Sequence, residues 1–259
     1  MPEPWYDVAF RAHYLALYAH RDDAEAARCL ALLEAAGLLA GRLLDLGCGD
    51  GRHLQALPQA TGLDYSADLL AAARHRAPSA PLVRGDMRRL PFADGSFAAV
   101  LSLFTAFGYF GDDGDRRTAA EAARVLRPGG HWVLDLFDGD RVRSELGDGA
   151  EHVRERVAGP LAVHEARRFL AGEATVCKRV RLSAREGQAA AAAAAGVGGG
   201  GLGYEERVRV FTLGELEDLA RCCGLVRVQA WGGYDGAPLG EGPRWILVYR
   251  KTGAGEATP

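Results

Sequence analysis

Between residues 41 and 150, short apolar runs alternate with longer segments in which apolar residues recur at helical spacing. Helical spacing extends over Ala67–Arg76 and Arg116–Leu126, and Ser66 is placed to cap the first of these segments. Strands separated by helices of about 10–15 residues are typical of βαβ units, whose parallel sheet is covered by helices on both faces. The predicted strands are Leu43–Leu46, Thr61–Leu63, Pro81–Arg84, Phe97–Leu103 and His131–Phe137.

The segment before this core has a helical pattern of its own. Asp22 or Asp23 is placed to cap a helix over Ala24–Ala36, and Gly37 is placed to end it. We therefore expect residues 1–40 to form a helical cap on a sheet core at residues 41–150.

After residue 150 the apolar residues recur at every second position, as in half-exposed antiparallel strands. We expect residues 151–211 to form an antiparallel insertion, interrupted by an Ala- and Gly-rich tract at residues 187–203. Because such a composition buries little apolar surface, we expect a disordered loop there, with a hinge or the tip of a lid as the alternative. The strands predicted in the insertion are Val153–Val157, Leu161–Phe169, Ala174–Leu182 and Glu206–Phe211.

Residues 212–250 return to the pattern of the core. Thr212 and Glu215 have the spacing of a capping box, and Gly224 ends the helix that follows. Two strands are predicted after it, at Leu225–Trp231 and Arg244–Arg250, and residues 251–259 are expected to be a disordered tail.

Composition narrows the classes of protein. Lys and Arg number 31 against 34 Asp and Glu, a net charge of −3, whereas nucleic-acid binders usually carry a basic excess. No apolar run approaches the roughly 20 residues of a membrane span, and the N-terminus lacks the pattern of a signal peptide. The five cysteines show no CxxC spacing, which favours reduced thiols in a cytoplasmic protein over a disulfide framework or a metal site. We therefore expect no membrane, nucleic-acid or metal partner.

A glycine-rich turn follows the first predicted strand, in Asp45-Leu46-Gly47-Cys48-Gly49-Asp50-Gly51. Glycines let the backbone approach a ligand closely and adopt torsions that a side chain forbids. The dinucleotide fingerprint would place its last glycine where this chain has Arg52. Acidic residues before and inside the turn favour a ligand with positive charge over a diphosphate.

Two further carboxylates end the next strands. Asp64 is placed to accept hydrogen bonds from both hydroxyls of a ribose, or it is a solvated turn residue; in either case we expect it to face solvent in the unliganded chain. Asp86 is placed to bind an amino group while Met87 packs on a flat ring, or it is an ordinary cap. All these groups lie at carboxyl ends of strands, where open α/β sheets bind ligands.

These motifs resemble the class I S-adenosylmethionine-dependent methyltransferases. The turn at Asp45–Gly51 is similar to their first motif, Asp64 to their ribose-binding acid and Gly85-Asp86-Met87 to their adenine-binding turn. Other segments, among them Phe107-Gly108-Tyr109-Phe110, resemble a bacterial group similar to methyltransferase domain 25. The resemblance implies a Rossmann-like, mostly parallel sheet of seven strands with the last one antiparallel, and an antiparallel insertion after the fifth strand.

The resemblance also implies S-adenosyl-L-methionine as cofactor and a set of residues that bind it. That set is Asp45, Gly47, Cys48, Gly49, Asp64, Tyr65, Asp86, Met87, Leu103 and Phe104. On the acceptor side the candidates are Tyr14, Phe107 and Tyr109. Phe107 and Tyr109, with Phe104 and Phe110, are placed to wall the methyl site, and Tyr14 to close over the cofactor, with packing as the alternative in each case. No catalytic residue is assigned, and His13, His20 and His53 are the histidines considered as bases.

Departures from better-known subgroups limit the chemistry. Leu103-Phe104-Thr105-Ala106 replaces the Asn/Asp-Pro-Pro-Tyr of enzymes that methylate the amino groups of bases or glutamine, and no Pro-Cys dipeptide supplies a nucleophile for cytosine. We expect methyl transfer to a small-molecule acceptor by proximity and desolvation. The alternatives are a methyltransferase acting on protein or RNA and a non-catalytic cofactor-binding module. The oligomeric state is not determined by the sequence.

Overall fold

A computed structural model describes residues 4–19 and 23–253. Within those ranges the α-helices are Trp5–Ala9 (α1), Ala12–Leu17 (α2), Asp23–Ala35 (α3), Ala67–Arg76 (α4), Gly111–Val125 (α5), Gly139–Leu146 (α6), Ala189–Ala194 (α7) and Leu213–Cys222 (α8). The strands are Leu43–Leu46 (β1), Thr61–Asp64 (β2), Leu82–Arg84 (β3), Phe97–Ser102 (β4), Leu126–Phe137 (β5), His152–Ala158 (β6), Leu161–Leu170 (β7), Thr175–Ala184 (β8), Leu202–Arg209 (β9), Leu225–Trp231 (β10) and Arg244–Lys251 (β11).

Seven strands form the main sheet in the order β10-β11-β5-β4-β1-β2-β3. The pairs among β1 to β5 are parallel, whereas β11 runs antiparallel to both β5 and β10. A second sheet, β6-β7-β8-β9, is antiparallel throughout and follows the fifth strand in the chain. The predicted fold class is therefore confirmed.

Both faces of the main sheet are buried. Leu44 and Leu46 of β1 face one apolar cluster and Leu43 faces the other, as the two-residue period of a strand requires. Burial on both sides explains why β1 and β4 read as continuous apolar runs in the sequence. In the same core, the Trp132 ring nitrogen donates to Ser102 Oγ at 3.0 Å. Among the described residues, no helix has the combined length and apolar character that crossing a membrane requires.

Local signals in the sequence predicted several element ends. Ser66 caps α4 by accepting from the Leu69 amide at 3.2 Å. Both hydrogen bonds of the predicted capping box between Thr212 and Glu215 form at the start of α8. These ends were predictable because each cap depends on residues only three positions apart.

Other boundaries differ from the prediction. Helix α5 begins at Gly111 instead of Arg116, and two acidic residues in its first turn favour the earlier start. The fifth strand starts at Leu126, and α6 was not predicted. Lys251 pairs with Leu225 inside the sheet, so the expected disordered tail does not begin there. Asp22, His20 and residues 254–259 lie outside the described residues.

The expectation of a disordered loop at residues 187–203 is wrong in its central part. Residues Ala189–Ala194 form α7, and the glycines after them lead into β9. Ala192 and Val197 are both buried, at 0% and 1% exposure, in an apolar cluster with Leu17 and residues of β7 and β8. The composition of this tract does not predict the helix, because α7 is ordered by its packing on the insertion sheet.

Replacing Ala192 with Asp tests this packing. A charge at this buried position lacks a partner, so we expect the free energy of unfolding to fall by about 2–4 kcal/mol. The matched control is Ala193→Asp at the exposed neighbouring position, with an expected change within about 0.5 kcal/mol. Urea unfolding of both variants measures the difference, and equal effects would contradict the packing.

Candidate cofactor cleft

A cleft of about 340 Å³ opens at the carboxyl edge of the main sheet. Its floor consists of the glycine-rich turn after β1 and the ends of β2 and β3, and the turn after β4 forms one wall. Helices α1 and α2 cover it from the other side, so the cleft lies between the core and the N-terminal helices. In the described part of the chain, eight phenylalanine and tyrosine rings line the cleft: Tyr6, Phe10, Tyr14, Tyr18, Tyr65, Phe104, Tyr109 and Phe110.

Gly47 and Gly49, the first two glycines after β1, have different structural roles. Gly47 and Gly49 both adopt left-handed torsions, with φ of +81° and +55°. A Cβ at Gly47 would lie 2.9 Å from the Ala106 Cβ, so this glycine permits the close packing of two loops. A Cβ at Gly49 would meet nothing within 4 Å. Gly49 therefore leaves open space on the floor of the cleft for a ligand.

The Asp64 carboxylate joins the loops after β1 and β2. Its Oδ2 accepts from the Gly49 amide and its Oδ1 from the Ser66 amide, both at 2.8 Å. Burial raises the pKa of Asp64, although the amide hydrogen bonds oppose this effect. The side chain is half-buried and lines the cleft, and its two amide hydrogen bonds give it a structural role that the sequence did not indicate. A carboxylate has about four acceptor sites, so two amide bonds leave capacity for ligand hydroxyls.

At the end of β3, Asp86 is held by Arg88. The guanidinium contacts both carboxylate oxygens, with Nη2 at 2.7 Å from Oδ2, and the Arg88 amide donates to Oδ1 at 2.8 Å. Burial favours a higher pKa for Asp86, but the Arg88 bonds outweigh it and lower the pKa below its ordinary value. Met87 is mostly buried beside it and also lines the cleft, next to Gly47.

Asp45 lies behind the floor and does not line the cleft. Its side chain is buried, and its Oδ2 has no hydrogen-bond partner among the described residues. Burial, together with the nearby charge of Asp64, raises the pKa of Asp45 from 3.8 to about 7. This buried carboxylate, with one unsatisfied oxygen, lies just before the glycine turn.

The turn after β4 has an unusual backbone. Phe104 and Thr105 both have positive φ, +55° and +64°, which costs about 1–3 kcal/mol for each such residue. The Phe104 ring lines the cleft, and the guanidinium carbon of Arg52 lies 3.5 Å from its centroid. Leu103, the residue before it, is buried and also borders the cleft. Strain at non-glycine residues is typical of ligand sites.

Two of the three aromatic residues predicted on the acceptor side line the cleft, and the third belongs to the core. Tyr14 and Tyr109 line the cleft, but Phe107 does not. Phe107 is 1% exposed, stacks on Phe211 at 5.4 Å and meets Trp132 edge to face. It belongs to the core because the turn after β4 directs Phe107 inward. Alternation of aromatic residues within one short loop could not reveal which rings face the cleft.

The histidines considered as bases are poorly suited to that role. His53 lines the cleft, but burial and the positive charges of Arg52 and Arg76 lower its pKa to about 3. His13 is buried beside the ring of Tyr204, and burial lowers its pKa as well. Both imidazoles are therefore neutral and weakly basic at physiological pH.

The three arginines of the described cleft lining were not among the predicted site residues. Arg52 stacks on Phe104, Arg88 clamps Asp86, and Arg76 contacts the Asp50 carboxylate. The position of Arg52 directly after the third glycine was a usable signal. Arg76 lies at the last residue of α4, 26 positions from Asp50, and no local pattern links the two.

The comparisons with known proteins agree with this geometry. Residues 43–130 match the family model described as a methyltransferase domain. The dTDP-3-amino-3,6-dideoxy-alpha-D-glucopyranose N,N-dimethyltransferase of Streptomyces fradiae is 41% identical over 40% of this chain and 43% of its own length. The dTDP-3-amino-3,4,6-trideoxy-alpha-D-glucopyranose N,N-dimethyltransferase of Streptomyces venezuelae is 39% identical over 37% of this chain and 42% of its own. The CcbJ methyltransferase from Streptomyces caelestis, a solved structure, has a TM-score of 0.75 at 22% identity and covers 98% of this chain and 100% of its own.

The chain contains a segment that matches a methyltransferase domain. The matched segment begins at the first residue of β1 and ends within β5, so it includes the glycine turn, Asp64, Asp86 and Phe104. The chain spans less than half the length of the curated relatives it matches. Helices α1 and α2, which cover the cleft, and the whole insertion lie outside the matched segment.

Replacing Asp64 with Ala should affect both stability and ligand binding. Two backbone amides lose their acceptor, so we expect the free energy of unfolding to fall by about 1–3 kcal/mol. Cofactor binding should weaken by roughly 30- to 150-fold, because the ribose hydroxyls lose the same carboxylate. Thermal melts and calorimetry measure the two effects. The control is Asp148→Ala, which removes the acceptor of the Ala171 amide far from the cleft and should leave affinity unchanged. Unaltered affinity in Asp64→Ala would remove the ribose assignment.

Asp45→Asn should stabilise the unliganded protein more at high pH than at low pH. The folded-state pKa is raised, so the stability that comes from holding the proton is present below about pH 4 and is lost as the pH rises through 7. Asn carries no charge at either pH. The difference in the free energy of unfolding between Asp45→Asn and the parent protein should therefore be about 1–3 kcal/mol larger at pH 8 than at pH 5. Urea unfolding at both pH values measures this. Asp218→Asn, on the exposed face of α8, is the control, and a gain independent of pH would contradict the buried titration.

Proposed function

We propose that this protein transfers a methyl group from S-adenosylmethionine to a small-molecule acceptor. The observation that carries the proposal is the convergence of Gly49, Asp64 and Asp86 in one aromatic cleft at the carboxyl edge of the sheet. Each lies at the end of a different strand, and together they provide acceptors and open backbone for a ligand that carries both a nucleoside and a cationic group.

The side chains fit this cofactor. Asp64 keeps acceptor capacity for the two ribose hydroxyls after its bonds to Gly49 and Ser66. Asp86, Met87 and Tyr65 border the part of the cleft next to it, where they would hold the adenine ring. The open floor at Gly49, with Cys48 and the buried carboxylate of Asp45 behind it, would receive the amino acid portion. Leu103 and Phe104 form the adjoining wall.

When bound, the cofactor supplies a methyl group on a positively charged sulfur. The residues of this chain contribute alignment and exclusion of water. Tyr14 and Tyr109 wall the cleft with rings whose faces attract cations, and α1 and α2 keep water from that side. The single imidazole among the described cleft residues, that of His53, has a pKa of about 3 and is a weak base, while the carboxylates of Asp64 and Asp86 accept hydrogen bonds from backbone amides and from Arg88.

The absence of a strong base in the described lining favours a nucleophile that needs none. A neutral amine attacks with its lone pair and releases its proton to water afterwards. Two curated relatives are named as N,N-dimethyltransferases of amino sugars, which supports an amine on a small polar metabolite as the acceptor. The enclosed position of the cleft under α1 and α2 also favours a small acceptor over a polymer. We further propose a bacterial, cytoplasmic setting, which the unpaired cysteines and the bacterial relatives support.

Gly49→Ala tests the cofactor site. A methyl group would project into the open floor, so we expect S-adenosylmethionine and S-adenosylhomocysteine to bind at least tenfold more weakly, by roughly 1.4 kcal/mol or more. Gly147→Ala is the control, because Gly147 also has a positive φ and open space around it but lies outside the cleft. Both variants should lose a similar stability of about 1 kcal/mol. Calorimetry and thermal melts separate strain from binding, and equal affinities would overturn the cofactor site.

The acceptor is tested by measuring S-adenosylhomocysteine release with a panel of small molecules. Amino sugars, nucleotide-linked amino sugars and other amines are compared with hydroxyl analogues of the same skeletons. We expect turnover with an amine and a product heavier by one or two methyl groups in mass spectrometry. Turnover confined to hydroxyl compounds would overturn the amine, and tighter binding of NAD than of S-adenosylmethionine would overturn the proposed function.

A further inference from the structure

A buried polar cluster lies behind the Phe104 wall of the cleft. It consists of Asp135 on β5, Tyr234 in the β10–β11 connection and Arg244 at the start of β11, and we call it the Asp135 cluster. The Asp135 side chain is 0% exposed and that of Arg244 is 18% exposed. None of the three lines the cleft.

The cluster satisfies both oxygens of the buried carboxylate. Arg244 Nε donates to Asp135 Oδ1 at 2.5 Å, and the Tyr234 hydroxyl donates to Oδ2 at 2.7 Å. The Phe104 amide donates to the same Oδ2 at 2.8 Å. The neighbouring Thr105 amide donates to the Asp135 backbone carbonyl at 2.8 Å. One residue therefore binds the two consecutive amides of the strained turn.

This turn positions several parts of the cleft. The Phe104 ring lies between the Arg52 guanidinium and the stacked ring of Tyr234, whose centroid is 5.7 Å away. The Tyr109 hydroxyl donates to the Thr105 carbonyl, so the second aromatic wall depends on the same backbone. Ala106, the residue directly after Thr105, packs against Gly47 in the glycine turn. A change in the torsions of Phe104 and Thr105 would therefore move both walls relative to the floor.

Left-handed torsions are unfavourable for Phe and for β-branched Thr, and the surroundings must impose them. Neither of these two positions is a glycine, so the local sequence does not favour the left-handed torsions. The hydrogen bonds that favour the strained form come from a residue 31 positions away, and its partners belong to the C-terminal hairpin, about 100 residues further along the chain.

We propose that Asp135, Tyr234 and Arg244 are positioning residues of the methyl-transfer site, which hold Phe104 and Thr105 in the left-handed conformation that shapes the cleft. This inference rests on the proposed function for the identity of the ligand. The three residues act through the turn and make no contact with the cleft. The C-terminal hairpin thereby becomes part of the machinery that orders the cofactor site.

The test compares two buried hydroxyls. Tyr234→Phe removes a hydrogen bond to Asp135, whereas Tyr249→Phe removes a hydroxyl that has no hydrogen-bond partner among the described residues. We expect Tyr234→Phe to weaken S-adenosylhomocysteine binding by roughly three- to tenfold in calorimetry. In the unliganded protein, hydrogen exchange at the Phe104 and Thr105 amides should accelerate by a similar factor. Tyr249→Phe should change neither quantity.

A rescue separates positioning from a general loss of structure. Glycine adopts positive φ without strain, so adding Thr105→Gly to Tyr234→Phe should restore the affinity to within about twofold of the parent protein. Equal effects of Tyr234→Phe and Tyr249→Phe, or failure of the rescue, would overturn the proposal. Accelerated exchange with unchanged affinity would also overturn it, since the cluster would then be structural only. If the parent protein bound no cofactor, the proposed function would fail, and the exchange measurements would still decide whether the cluster holds the turn.

Discussion

The rest of the cleft depends on the hydrogen bonds of one carboxylate. Asp64 binds the Gly49 amide and the Ser66 amide, and so joins the glycine turn to the start of α4. Ser66 in turn caps α4 and donates to the Phe10 carbonyl, while Asp68 accepts from the Ala12 amide at 3.0 Å. The floor of the cleft, one helix of the core and the N-terminal helices thus meet at a single loop. The carboxylate that we propose binds the ribose therefore also stabilises the loops that form the floor of the cleft.

Most of the charged side chains that line the cleft are paired with an opposite charge or stacked on an aromatic ring. Asp86 is paired with Arg88, Asp50 with Arg76, and the cation of Arg52 lies on the Phe104 ring. Charges that are already paired orient a ligand without offering free acids or bases. Behind the floor, Asp45 has no such pairing: burial raises its pKa to about 7, and one of its oxygens has no hydrogen-bond partner in the described chain. Such an unsatisfied group costs stability, and its position behind the glycine turn suits a site for a cation.

The insertion packs against the rest of the molecule through its Ala- and Gly-rich tract, although the composition of that tract does not predict such packing. Ala192 and Val197 fill a cluster with Leu17 of α2, so a tract of small residues contacts both the insertion sheet and the helices over the cleft. Lys178, Glu206 and Tyr18 form a polar contact across the same interface. Small side chains lose little rotamer freedom on burial, so a short alanine helix can be ordered by few contacts. The helices that cover the cleft are therefore supported from the insertion.

The sequence by itself determined the order of the strands, the parallel sheet with its antiparallel insertion, the caps at Ser66 and Thr212, and the strand ends that carry Asp64 and Asp86. These features depend on side-chain periodicity and on residues a few positions apart, which any window of the chain contains. Only the tertiary structure decided that Phe107 is core while Tyr109 lines the cleft, that α7 is ordered, and that Phe104 and Thr105 are left-handed. Those outcomes arise from contacts between distant segments, such as Arg244 with Asp135. Their hydrogen bonds and burial outweigh the local preferences that a sequence reveals.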